Sequence, residues 1–274
     1  MKKIAFIRNE PLVCGIVNVT PDSFSDGGLY LDEKKAVDRA LELESQGAAL
    51  VDIGAESSRP GAAPVDEKEE LGRLLPVVRV AASRLKIPIS VDTCKPAVAE
   101  ACLEAGASYI NDITGFSDPR MGRAAAASGA GAIVMHMLGS PSDMQKAPVY
   151  SDVVAEVMSF LERRIRGLRA LGVREIIADP GIGFGKTLEH NLELIAGLGR
   201  FKALGCPLML GVSRKSFIGA LSGGAPAGER LGGTVAACVL GALNGADILR
   251  VHDAAQVKQA LAVAMALVRR GAAK

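Results

Sequence analysis

Short runs of apolar and β-branched residues alternate along the whole chain with longer stretches in which apolar positions recur every three or four residues. The short runs lie at 12–19, 50–55, 87–92, 109–114, 132–137, 176–179, 207–213 and 248–252. Runs this uniformly apolar predict strands covered on both faces, as in a parallel sheet. The longer stretches predict helices at 33–46, 66–85, 96–105, 119–128, 152–171, 188–198, 229–244 and 254–270. In 66–85, for example, Leu71, Leu74, Leu75, Val78, Ala82 and Leu85 form one apolar stripe. Gly47, Gly106, Gly129 and Gly172 stand where helices would close. Eight strand–helix units in one pass predict an α/β fold, a (β/α)8 TIM barrel, as a single domain over residues 1–274. A doubly wound open sheet is the alternative. Even spacing without a central break favours the barrel. Residues 4–8 read as an extra strand closing the barrel bottom.

Composition narrows the class. A chain of 274 residues, 49% hydrophobic, buries a large core, and barrels of this length are commonly one domain. The formal net charge is +2 with acids and bases interspersed, which predicts neither a nucleic-acid partner nor a membrane surface. Cys14, Cys94, Cys102, Cys206 and Cys238 are odd in number and lack C-x-x-C spacing, so they read as reduced thiols. The apolar start breaks at Asn9-Glu10-Pro11, too short for a secretion signal, and no apolar run reaches membrane length. A soluble, cytoplasmic protein is expected.

The candidate chemistry lies at the strand ends. They carry Asn18, Glu56, Asp92, Asn111, Asp112, His136, Asp179, Ser213 to Lys215, Arg250 and His252. In a barrel these ends converge on one face. The stretch I-I-A-D-P-G-I-G-F-G-K-T (176–187) ends a strand in a carboxylate, stops it with proline and turns through three alternate glycines. It is not a phosphate-binding P-loop, because the position that would need the first glycine is Pro180. Three connections, 20–32, 56–65 and 137–151, exceed the usual length in α/β units. Their small, hydroxyl and glycine residues read as mobile lids, with Phe24, Arg59 and Pro60 to set over a ligand.

The motifs N-V-T-P-D-S-F-S-D-G-G (18–28), E-S-S-R-P-G-A (56–62), S-V-D-T (90–93) and I-N-D-I-T-G (110–115) resemble those of the dihydropteroate synthases. So do M-H-M-L-G-S-P-S-D-M-Q (135–145), D-P-G-I-G-F-G-K-T (179–187), G-V-S-R-K-S-F-I-G (211–219) and R-V-H-D (250–253), in the same order from first strand to last. The second loop departs slightly: it reads G-A-E-S-S-R (54–59) where the family more often has a second glycine and a threonine before the arginine.

The resemblance implies a transferase joining 6-hydroxymethyl-7,8-dihydropterin diphosphate to 4-aminobenzoate, giving 7,8-dihydropteroate and diphosphate in folate biosynthesis. It implies Asp92, Asn111 and Asp179 as readers of the pterin's amino-pyrimidinone edge, with Lys215 donating to the ring carbonyl or a ring nitrogen. Ile113, Met135 and Phe184 would sandwich the ring, although Met135 reads equally as core. Gly211 belongs to the same substrate-binding set. Asn18, Arg59, Arg250 and His252 would neutralise the leaving diphosphate, Arg250 also lying against the pterin face. Mg²⁺ is the implied counter-ion, with Asn18 as its ligand and Asp22 left open as a second. Phe24, Ser58, Arg59, Pro60, Phe184, Lys215 and Ser216 would bound the aminobenzoate. The catalytic set is thus Asn18, Asp92, Asp179, Lys215 and Arg250. A homodimer is expected because the family forms one. His136 reads as a strand-end structural histidine and His190 as a surface one on a helix. Two other readings remain: a pterin-binding methyltransferase barrel of the methyltetrahydrofolate type, and a non-catalytic barrel serving as a scaffold.

Overall fold

The computed structural model describes residues 1–6, 10–20, 29–57 and 61–271, with side chains of the first helix from residue 33 onward. Eight strands alternate with helices. They are β1 (Leu12–Asn18), β2 (Leu50–Gly54), β3 (Ile89–Asp92), β4 (Tyr109–Asp112), β5 (Gly131–Met135), β6 (Ile176–Asp179), β7 (Met209–Leu210) and β8 (Ile248–Val251). The helices are α1 (Leu29–Ser45), α2 (Glu67–Arg84), α3 (Pro96–Glu104), α4 (Pro119–Ser128), α5 (Val153–Ala170), α6 (Leu188–Ala196), α7 (Ser216–Leu221), α8 (Leu231–Leu243) and α9 (Ala254–Gly271).

All pairings are parallel, in the order β6-β5-β4-β3-β2-β1-β8-β7. The ring closes between β6 and β7 through a single bridge, in which Ala178 N–H donates to the Pro207 carbonyl at 2.9 Å. The fold is therefore the (β/α)8 barrel, and the open-sheet alternative is ruled out. No helix among the described residues is long and apolar enough to cross a membrane.

The period-two alternation of strands sorts the core into two layers. Outward residues such as Val51, Ile53, Val91, Ile110, Val134, Ala178 and Leu249 pack under the helices. Inward residues Cys14, Leu50, Tyr109, Ile133, Ile177, Met209 and Ile248 fill the lower barrel. Gly131 faces the Tyr109 ring, where a Cβ would stand 2.3 Å from ring carbons, so the large tyrosine is matched by an absent side chain. Of the strand expected over 4–8, residues 4–6 form none, and residues 7 and 8 lie outside the described residues. Ile4 is instead buried against this inner layer, and its N–H donates to the Tyr109 hydroxyl at 3.2 Å. A single side chain plugs the barrel bottom.

Helix ends follow their capping chemistry. Asp66, Asp118 and Asp152 accept backbone N–H groups at the starts of α2, α4 and α5. Thr187 and His190 form a reciprocal capping box on α6. Several strands stop earlier than the apolar runs do. In the seventh, 211–213 leaves the sheet after the two-residue β7, and α7 follows as a short helix that periodicity did not announce.

Candidate active site

Above the apolar floor the barrel interior turns polar. Register pairing puts Asn18, Gly54, Asp92 and Asn111 on one rung across β1 to β4. Inward alternation adds Asp52 on β2, Met135 on β5, Asp179 on β6 and Arg250 on β8. Gly54 makes room on this rung, since a Cβ there would stand 3.1 Å from Asp92 Cβ. Gly211, beyond β7, sits among Asp179, Arg250 and Lys215, and a Cβ there would meet them at 3.8, 3.9 and 3.9 Å, ordinary contact.

Two opposite-charge groupings organise the mouth. Arg250 donates from Nε to Asp52 Oδ2 at 2.6 Å and from Nη2 to Asp92 Oδ2 at 2.7 Å. Asn111 Nδ2 donates to the same Asp52 oxygen at 2.8 Å. Burial alone would lower the Arg250 pKa; Asp52 and Asp92 outweigh it and hold the guanidinium charged. Burial pushes the Asp92 carboxyl up to about 7, opposed by Arg250 and reinforced by Asp52. Across the mouth, Asp179 Oδ1 accepts the Gly181 N–H at 2.7 Å. Burial raises its pKa, with Lys215 pulling the other way. Burial brings Lys215 down to about 8 against the attraction of Asp179. The Lys215 ammonium bonds the Ile182 carbonyl and lies 4.6 Å from the centre of the Phe184 ring.

The glycine turn is pressed onto the end of β5. Gly181, Gly183 and Gly185 all have positive φ. A Cβ on Gly181 would come within 1.9 Å of the His136 carbonyl oxygen, and one on Gly185 within 2.4 Å of the Leu138 oxygen. Only glycine permits both the dihedral and the approach. Lys186, 2% exposed, stitches the two segments together. Its ammonium reaches the Phe184 carbonyl at 2.9 Å, His136 Nδ1 at 3.0 Å and the His136 carbonyl at 3.4 Å. Burial, with Lys186 beside it, drives the His136 pKa down to about 3, so the ring is neutral and Nδ1 accepts.

The strand-end polar residues therefore divide by alternation. Asn18, Asp92, Asn111, Asp179, Arg250 and His252 share the inward face with Met135. Ile113 and Phe184 are half-buried beyond β4 and β6, and Ser216 is exposed as the first residue of α7. Asp112 and His136 are outward and structural. Asp112 accepts the Thr114 and Phe116 N–H groups, holding the turn after β4. Glu56 serves Lys95, which also bonds the buried Glu70. Asp22, Phe24, Ser58, Arg59 and Pro60 lie outside the described residues. Two residues of this neighbourhood escaped the sequence reading, Asp52 and Lys186. Asp52 had a signal: it is an acid inside the apolar run L-V-D-I-G, two positions below a strand end.

Such a mouth offers fixed carboxylate and amide acceptors to a donor-rich flat ring, and cations to an anionic group beside it. The thiol of inward Cys14 is fully buried, and burial raises its pKa.

Comparison with known proteins agrees. The family profile described as pterin binding enzyme matches residues 14–252. The dihydropteroate synthase of Escherichia coli K12 is 46% identical over 257 residues, covering 93% of this chain and 91% of that one. That of Bacillus subtilis is 42% identical, covering 96% and 91%. Among solved structures, Xanthomonas albilineans dihydropteroate synthase with 4-aminobenzoic acid superposes with a TM-score of 0.89 at 45% identity, covering 94% and 93%. The same enzyme in complex with 7,8-dihydropteroate gives 0.86 at 42% identity, covering 94% of each chain. A barrel whose polar interior is built for a pterin, and whose sequence follows these enzymes over nearly its full length, belongs to the pterin-binding enzyme family, among its dihydropteroate synthases.

Proposed function

We propose that the described side chains carry out the synthase reaction as follows. Asp179 and Asn111 hold the amino-pyrimidinone edge of the dihydropterin, Asp92 accepts from the ring on the opposite side, and Lys215 donates to its carbonyl or ring nitrogen. Ile113, Met135 and Phe184 bound the ring faces, and Gly211 leaves the space the ring needs. Arg250, held by Asp52 and Asp92, lies beside the ring and faces the diphosphate together with Asn18 and His252. Loss of diphosphate breaks the C–O bond and leaves a methylene cation stabilised by the electron-rich dihydropterin; the aromatic amine attacks it and releases one N–H proton to solvent. Catalysis rests on leaving-group stabilisation and positioning. Lys215, Phe184 and Ser216 border the aminobenzoate site, to which Phe24, Ser58, Arg59 and Pro60 are assigned from the sequence; Asp22 stays open as a second ligand of the metal ion.

Magnesium suits the donor set. Among the described residues no cluster of His, Cys, Asp or Glu forms a metal cage. Mg²⁺ keeps most of its waters and takes phosphate oxygens, so one neutral oxygen from Asn18 fits it. When bound, the ion would offset charge on the departing diphosphate.

The protein acts as a homodimer in the cytoplasm on this reading. The five cysteines are unpaired. Helix α8 carries no charged residue, and its exposed face presents Ala236, Leu240 and Leu243 beside Val263 and Leu267 of α9. An uncharged helix face of this kind suits a second copy. Sedimentation at the mass of one chain would contradict it.

The observation that carries the functional reading is the inward convergence of Asp92, Asn111 and Asp179 with Lys215 and Arg250. Its test is calorimetric titration of a pterin analogue into the wild type and Asp179→Ala. A charged hydrogen bond contributes about 1.5–3 kcal/mol, so affinity should fall about tenfold to a hundredfold or more while the fold persists. Unchanged binding by the folded variant would remove Asp179 from the pterin site.

A further inference from the structure

The exits of β7 and β8 are joined by a side-chain ladder beyond the last sheet hydrogen bonds. Ser213 Oγ accepts the backbone N–H of His252 at 3.2 Å and lies 2.9 Å from His252 Nδ1. One residue further, Arg214 makes a two-pronged bond to Asp253, at 3.1 and 2.7 Å. Arg214 itself has φ of +58°, a conformation non-glycine residues seldom adopt. It is held there by Thr234, which accepts the Arg214 N–H at 2.9 Å, and by Arg230, which donates to its carbonyl at 2.9 Å. Arg39 of α1 donates to the His252 carbonyl at 2.5 Å. The backbone on both sides of the Ser213–His252 contact is thus fixed from four directions.

The contact has a chemical polarity. Ser213 is buried, and one of its lone pairs is taken by the His252 N–H. Among the described residues, the acceptor within reach of its hydroxyl proton is His252 Nδ1. A hydroxyl that donates to Nδ1 requires that nitrogen to be unprotonated, which leaves the ring proton on Nε2. We propose that Ser213 is a positioning residue that fixes the His252 ring with its proton on Nε2, making it a directed donor to the diphosphate leaving group. The inference rests on the diphosphate role given to His252 above.

The protein has three histidines, so a ¹⁵N-histidine-labelled sample yields three imidazole spin systems, with His252→Ala identifying one of them. In wild-type protein above the titration of that ring, His252 Nδ1 should resonate as a bare, pyridine-like nitrogen and Nε2 as a protonated one. In Ser213→Ala both signals should move toward the averaged positions of a free imidazole. Binding of inorganic diphosphate with Mg²⁺ completes the test. Ser213→Ala should weaken it about 3–10-fold, as for one misdirected hydrogen bond, but should add little in a His252→Ala background. Pterin-analogue affinity, kept in both variants, reports that each has folded. A protonated Nδ1 in the wild type, or full additivity of the two substitutions, overturns the inference. If His252→Ala leaves diphosphate binding unchanged, the diphosphate role of His252 falls, and with it the donor function; the Nδ1 signal then shows separately whether Ser213 sets the ring.

Discussion

At the scale of single residues, the site depends on an acid that makes no approach to solvent. Asp52 is fully buried, yet one of its oxygens binds both Asn111 and Arg250. It holds Asn111 and Arg250 at once and repels Asp92, adding to the rise in that carboxyl. The kinetic consequence has two limbs. Below about pH 7 Asp92 takes up a proton, loses its charge and turns one oxygen into a donor; above about pH 8 Lys215 loses its charge. The pH profile of kcat/KM should therefore be bell-shaped between these values. Asp52→Asn removes the charge that both bonds share and should lower kcat/KM about tenfold to a hundredfold. It should also move the acid limb to lower pH, since the charge that raises Asp92 is gone. An acid limb that stays in place would separate it from Asp92. Asn18, Asp92, Asn111, Asp179 and Arg250 were legible because each interrupts or ends an apolar run. Asp52 interrupts a run in the same way, but the run alone does not reveal that its partner Arg250 arrives from the far end of the chain.

At the scale of elements, the turn after β6 shows why glycines recur at alternate positions. Gly181 combines a φ of +68° with an approach to the His136 carbonyl that leaves no room for a Cβ. Gly181→Ala should destabilise the fold by about 2 kcal/mol or more, lowering Tm by several degrees, and should shift the Asp179 carboxylate bonded to its N–H. Thermal unfolding checks the first effect and pterin titration the second. An unaltered Tm would mean the turn lies further from β5 than described. The sequence announced a glycine turn after a carboxylate, but not Lys186 as the stitch that fastens it to β5. A lysine one place after the last of these glycines looks like a solvent-facing residue or a phosphate ligand, and only tertiary packing makes it a buried donor to His136 and Phe184. The early end of β7 has a similar cause. Residues 211–213 read as strand from composition, but they leave the sheet and carry Gly211 beside Asp179, Lys215 and Arg250, and Ser213 to His252.

At the scale of the molecule, eight repeats of one pattern were enough to give the barrel, because parallel strands joined by helices have few ways to cover both faces of a sheet. Closure itself rests on a single bridge at Ala178, which no local pattern could announce. The lower interior is apolar and closed by Ile4; the upper interior is charged and open. That polarity gives the barrel one working end, where an uncharged ring and an anionic leaving group can be held side by side. The central claim is that this end couples departure of diphosphate to attack by an aromatic amine. Incubating the protein with 6-hydroxymethyl-7,8-dihydropterin diphosphate and Mg²⁺, with and without 4-aminobenzoate, and counting both products tests it most directly. The account predicts diphosphate and 7,8-dihydropteroate in equal amounts, dependent on the amine. Diphosphate without dihydropteroate, or no turnover by a folded protein that still binds the pterin, would contradict it.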